Sequence, residues 1–231
     1  MRTYNLRYAL FVVATRCEKD LPYFLPSEVV LHNSLSDCWV SYLGKVYDLT
    51  ALCKSCEDRP EIKPILLFAG KDLSHWFDRL TGDIQHHVDP RTGALVPYCP
   101  HGPIPDVGIP EPSSTWRPLE QVPWWRDTKY LLGNLTRNPR PCRVINTLIA
   151  KEALIWVCEE DTIKRIQERF KLFNSNSSDY LWKSEDKILD LNKTLTDNGI
   201  PDERERFLRC GLPDNFYVPS ILCYYKDIVK L

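Results

Sequence analysis

The stretch Cys38-Trp-Val-Ser-Tyr-Leu-Gly-Lys-Val-Tyr-Asp-Leu-Thr50 decides the fold of the first half of the chain. Two short runs rich in aromatic and β-branched residues flank Gly44, so the stretch reads as two strands joined at a glycine turn. Upstream, Pro26-Ser-Glu-Val-Val-Leu-His32 suits a short helix with Pro or Ser at its start. Downstream, short helical pieces are expected over 50–56, 63–68 and 72–77. The result is a small mixed unit of helices and strands spanning about 20–89.

Farther along, proline divides the chain. Eleven of the eighteen prolines fall between Pro90 and Pro141, in a stretch that also carries Trp116, Trp124 and Trp125. Such density excludes regular helices and central strands, yet exposed tryptophan is costly in water. Residues 90–141 therefore read as an extended strap whose three tryptophans are anchors, either on the chain's own domains or on a partner. Thirty basic and thirty-one acidic residues among 231 give a net charge of −1, which argues against nucleic-acid and membrane-surface binding. With 43% hydrophobic residues the chain can build a core, and no apolar run reaches the roughly 18–20 residues of a membrane span. The apolar residues 8–14 read as a strand or a packed extension. Nine scattered cysteines, several inside apolar runs, suit a reducing compartment better than a disulfide scaffold.

In the first unit, the order Ser27-Glu-Val-Val-Leu-His-Asn33, then residues 37–52, then Leu66-Leu-Phe-Ala-Gly-Lys-Asp-Leu-Ser-His-Trp-Phe-Asp78 resembles a cytochrome b5-like haem-binding domain. Val46-Tyr-Asp-Leu-Thr50 is similar to that family's core strand and turn. Ala69-Gly-Lys-Asp72 followed by Phe77 resembles its next helix start. The resemblance implies haem b held by two axial histidines, the first from a His-Pro-Gly-Gly motif. At the corresponding distance this chain has Cys56 followed by Glu57-Asp-Arg59. For the second ligand the candidates are His86 and His87, of which His87 fits better. Two readings stay open: a module that keeps the fold without its cofactor, and a haem or redox site ligated by Cys56 and His87.

A third chemistry starts from Cys53-Lys-Ser-Cys56. Its spacing lets two thiolates grip one zinc or form a redox dithiol, with Cys99 and His101 completing a tetrahedral set. The same spacing is about one helical turn, so one of the two thiols can simply face the core. His32 and His75 read as structural or exposed. No nucleophile–base–orienter set or phosphate-cradling glycine loop stands out, and no enzymatic turnover is expected.

Beyond residue 142 the pattern is ββαββ…β. Strand-like runs occur at 143–148 and 153–158, followed by a helix capped by Asp161-Thr162 with Ile163, Ile166 and Phe170 on one face. Further short strands are expected at 180–182, 187–189 and 220–225, with the charged run 202–206 as a solvated loop. Residues 142–231 resemble a ubiquitin-like β-grasp, and Lys226-Asp-Ile-Val-Lys-Leu231 lacks the Gly-Gly that a conjugatable modifier uses. The domain reads as a built-in recognition surface. The fold class is α+β. A b5-like module, a Pro/Trp strap and a β-grasp in one chain resemble the cytochrome b5 domain-containing protein 1 family. That resemblance implies a non-enzymatic protein of motile cilia, located in the cytoplasm, cytoskeleton and axoneme, docked to radial-spoke proteins and influencing beating.

Overall fold

A computed structural model describes residues 21–108, 122–176 and 179–225. The 8–14 run and Trp116 lie outside the described residues. The chain enters through Tyr23–Phe24 (β1) and Pro26–Leu31 (α1), where Pro occupies the first turn and the Glu28 carboxylate accepts from the Leu25 amide at 2.7 Å. Asn33–Ser34 (β2), Asp37–Tyr42 (β3) and Lys45–Asp48 (β4) follow as an antiparallel meander. Leu43 and Gly44 make the hairpin turn with both φ angles positive, as the right-handed strand twist demands. Leu43 is held in that conformation by donating its amide to the Ser74 hydroxyl at 2.9 Å.

The helical pieces are Thr50–Ser55 (α2) and Lys63–Leu67 (α3), while the third expected helix shrinks to a 3-10 turn, Ser74–Trp76. Ala69-Gly-Lys-Asp72 runs beside β3. The Gly70 amide donates to the Trp39 carbonyl at 2.7 Å, the Ser41 amide to Lys71 at 3.1 Å, and the Leu73 amide to Ser41 at 2.7 Å. Gly70 has φ +77°, and a Cβ there would sit 3.0 Å from the Val30 carbonyl oxygen of α1. The glycine is a requirement of that close approach.

The expected strap is not one element. His86–Val88 (β5) and Leu95–Pro97 (β6) form a hairpin. Ile104, Trp124 and Trp125 then join the first core, with Trp124 fully buried and edge-on to Tyr42 and Phe77. Leu131–Leu135 (β7) enters the middle of the first sheet, giving the order β1-β7-β4-β3-β2, parallel to β1 and antiparallel to β4. Described parts of the stretch assigned to a separate strap at 90–141, Ile104, Trp124, Trp125 and β7, therefore complete the unit assigned to 20–89, while Pro139–Pro141 open the second sheet.

The second sheet is built from Pro139–Asn146 (β8), Lys151–Cys158 (β9), Tyr180–Ser184 (β10), Lys187–Ile188 (β11) and Ser220–Tyr225 (β12). Its order is β11-β10-β12-β8-β9, with β12 parallel to β8 and the other pairs antiparallel. Pro139 and Pro141 are tolerated in β8 because β12 pairs with it only from Arg143 onward. Ile163–Phe170 (α4), capped by Thr162, buries Ile163, Ile166 and Phe170 against Val144, Ile155, Trp182 and Ile221. The charged run expected as a loop is instead mostly helix, Arg204–Arg209 (α5), entered through Asp202, whose carboxylate accepts the Arg204 amide at 3.1 Å.

Candidate functional site

Cys56 ends α2, with its amide bonded to the Leu52 carbonyl at 3.1 Å. It is a buried member of the first core and also borders a cavity of about 530 Å³ together with Arg59, Glu61, Cys99, Asp106, Gly108 and an apolar wall of Val96, Pro97, Pro103, Ile104, Pro105 and Val107. One wall is the turn after α2, where the family motif would carry its first histidine. The other is segment 96–108. Burial pushes the Cys99 thiol up. Glu61 Oε2 is buried without a hydrogen-bond partner. Arg59 is exposed, and Asp106 is held by the Trp124 amide at 3.0 Å.

No histidine lines this cavity. His87 lies on the exposed face of β5, its ring edge-on to Tyr98 at 6.2 Å, and His86 bonds to the Ile84 carbonyl at 2.8 Å. His75 and His101 are exposed, and both pack against the same two rings, Phe68 and Trp76. His32 is structural, stacked on Trp39 at 3.5 Å and bonded to Asp37 at 2.7 Å. The pair Cys56 and His87 is thus divided between the cavity and an outer hairpin. The residues present do not fit a haem held between two histidines.

The Cys-x-x-Cys pair is divided as well. Cys53 is fully buried and shares a thiol hydrogen bond with Cys38 of β3. That bond, followed by burial, pushes the Cys38 thiol up. Cys56, at the edge of the same core, borders the cavity, and among the described residues no group of three or more His, Cys, Asp or Glu side chains is placed to hold a metal ion. The expected tetrahedral set of Cys53, Cys56, Cys99 and His101 does not form. Cys53 is the more deeply buried of the two thiols, at 0% exposure.

The tryptophan anchors hold the molecule to itself. Trp124 and Trp125 are buried in the first core; the Trp125 indole donates to Asp83 at 3.1 Å, and its carbonyl accepts the Tyr42 hydroxyl. Arg126 Nε reaches the same Asp83 at 2.8 Å. Neither tryptophan is available to a partner, which corrects that part of the partner-binding expectation. Burial of both had a signal in the sequence, since adjacent tryptophans are rarely left in water.

Sequence reasoning passed over a different surface. On the second sheet, no described residue covers the face opposite α4. Trp156 is 51% exposed, Leu154 56% and Ile188 64%. Strand register sets Trp156 beside Pro141 and Leu154 beside Arg143, then Ile145, Leu222, Lys183 and Ile188 in one row across four strands. Lys183 sits over the Tyr224 ring at 5.1 Å, and Arg143 is 3.8 Å from Glu152. The period-2 alternation of β9, exposed Leu154 and Trp156 against buried Ile155 and Val157, was a readable sign of a two-faced apolar strand.

Residues 26–96 match the family model described as Cytochrome b5-like Heme/Steroid binding domain. Over 205 residues, 89% of this chain, the sequence is 42% identical to the Xenopus laevis protein named Cytochrome b5 domain-containing protein 1, covering 94% of it. The proteins of the same name from Homo sapiens and Mus musculus are 42% and 41% identical, each covered over 90% of its length.

Proposed function

The chain belongs to the cytochrome b5 domain-containing protein 1 family, and from that membership we propose that it is a non-enzymatic docking protein of the motile-cilium axoneme, associated with radial-spoke proteins. The observation that carries the docking reading is the uncovered apolar face of the second sheet. Exposed apolar patches of this kind mark interaction sites, and a half-exposed tryptophan on the same face as an arginine has the composition of an interface hot spot. The strand order β11-β10-β12-β8-β9, with a parallel central pair and one helix across a single face, supports the ubiquitin-like β-grasp reading of this domain. On that reading the domain acts through its sheet face. The cytochrome b5-like domain adds a haem or redox role, through which docking influences beating.

Co-sedimentation of the full chain with isolated axonemes tests this. The wild-type chain is expected to pellet with axonemes that carry radial spokes and to stay in solution with axonemes that lack them. A Leu154→Lys, Trp156→Glu variant is expected to bind on the order of 30-fold more weakly, the loss of one hot spot of about 2 kcal/mol. Both positions are exposed, so the fold survives the change. Equal pelleting of variant and wild type, or pelleting indifferent to the spokes, would overturn the reading.

A further inference from the structure

Of the four edges of the two five-stranded sheets, three are strands of two residues, β1, β2 and β11. The fourth, β9, is eight residues long. An open edge is a template for another strand, and proteins blunt it with short strands, prolines, bulges and charges. Three edges follow that rule. β9 does not: its register with β8 runs without a bulge, it holds no proline, and from Ala153 to Cys158 it carries no charge. Among the described residues no strand lies on its outer side.

The neighbouring strands fix which backbone groups face outward. The Arg143 amide donates to the Pro219 carbonyl at 2.9 Å and the Thr147 amide to the Cys223 carbonyl at 3.1 Å, so the odd-numbered residues of β8 face β12. Its even-numbered residues therefore face β9, where their partners are Lys151, Ala153, Ile155 and Val157. Backbone direction alternates along an antiparallel strand, which leaves the N–H and C=O groups of Glu152, Leu154 and Trp156 pointing off the edge. The next amide in that series, Cys158, is already taken by the Asp161 carboxylate at 2.9 Å.

We propose that β9 pairs antiparallel with β9 of a second copy of the chain about a two-fold axis at Ile155, joining two five-stranded sheets into one. A two-fold interface must be complementary to itself, and this strand is. With the axis at Ile155, Leu154 of each copy lies opposite Trp156 of the other, and the two residues exchange both backbone bonds. Residues directly opposite share a face, so the exposed leucine and the exposed indole cover one another. The Lys151 end of each strand meets the Glu159-Glu160 end of the other, where Arg140 is paired with Glu159 and leaves Glu160 to attract the lysine. Moving the axis one residue to Leu154 sets Trp156 opposite Glu152 and loses both gains. The dimer goes beyond the docking reading and does not depend on it. Its two apolar faces lie side by side on one surface, so a docked partner meets two copies of the same row.

The test is sedimentation velocity of the full chain over about 1–300 μM, the range of a small interface, with amide hydrogen exchange read at both ends of that range. A monomer–dimer equilibrium is expected. The amides of Leu154 and Trp156 gain protection as concentration rises, while those of Ala153 and Ile155, bonded to β8, are protected throughout. Leu154→Pro removes one outward donor from each copy at a position where an edge strand tolerates proline. It is expected to weaken association on the order of 10–100-fold and to leave the melting curve little changed. Ile188→Lys, on the same face at the far edge, is expected to leave association unchanged. If Leu154→Pro does not fold, the exchange pattern of the wild-type chain decides alone. A monomer throughout the range would overturn the dimer and leave the docking reading standing. Association that survives Leu154→Pro but is lost in Ile188→Lys would overturn edge pairing in favour of face-to-face contact. Protection of Leu154 and Trp156 that appears only when axonemes are added would overturn the second copy as the occupant.

Discussion

Arg169, between Glu168 and Phe170 on α4, joins the two halves of the molecule. Its guanidinium donates to Asp161 at 2.6 Å, to the Tyr23 carbonyl at 3.1 Å and to Glu28 of α1, and contacts Cys158 Sγ at 3.2 Å. The Arg169 and Asp161 side chains are 8% and 2% exposed. Breaking one side of a buried ion pair strands the other charge in a poorly solvating interior, so Arg169→Met is expected to cost about 3–5 kcal/mol in chemical denaturation. Adding Asp161→Leu should recover only part of that loss, because the buried Cys158 amide is left without its acceptor and Glu28 without its arginine; a single-variant loss below about 1 kcal/mol would show the pair to be solvated after all. None of this was legible at the residue level. An arginine one position before Phe170 looks like any solvated helix charge, and its partners are 8 and 141 positions away. The burial of Trp124 and Trp125 was half legible. Two adjacent indoles announce an anchor, but which surface receives them depends on Tyr42 and Phe77 being stacked at 4.3 Å to meet them.

At the scale of elements, β7 is the least expected and the most constrained. Gly133 lies so close to β1 that a Cβ would stand 2.2 Å from the Pro22 carbonyl oxygen and 2.8 Å from the Phe24 ring. Overpacking of this kind typically costs about 1–3 kcal/mol, so Gly133→Ala is expected to lower the melting temperature by roughly 2–12 °C. Gly108→Ala, which meets nothing within 4 Å, is the control and should leave it unchanged. The β3–β4 hairpin and α4 were readable because each carries its own period and its own turn or cap. Leu131-Leu-Gly-Asn-Leu135 has neither. It is short, holds a glycine, and pairs with a two-residue strand near the other end of the domain. The 202–206 run was read by its charge alone; the Asp202 carboxylate, held well below the usual range by its hydrogen bond to Arg204, turns it into a helix start. The cavity escaped sequence reading for a related reason: Cys56 and Cys99 are far apart in sequence, and only the route of segment 96–108 brings them to one wall-to-wall space.

Across the whole molecule, buried thiols set the alkaline limit. Burial pushes Cys142, Cys158 and Cys223 each up to about 12, from an ordinary thiol value of 9.0. The folded state keeps these protons while the unfolded state gives them up, so stability is full below pH 9 and falls as pH rises towards 12. Denaturant midpoints at pH 8 and pH 10.5 should show the decline, and a Cys142→Ala, Cys223→Ala variant should flatten it; a midpoint unchanged with pH would mean the thiols are solvated. Two sheets and their cores were largely readable in advance, whereas the boundary between them was not, since proline content describes local backbone and says nothing about which sheet a later strand will enter. That boundary has a consequence in time. Among the described residues β1 pairs only with β7, about 110 residues further along the chain. At ribosomal rates of about 5–20 residues per second, the first strand therefore waits roughly 5–20 s for its neighbour to be synthesised. Until then Tyr42, Phe77 and the rest of the first core lack their indole cover, so the nascent N-terminal half emerges with an open hydrophobic edge and closes only when translation has nearly reached the second domain.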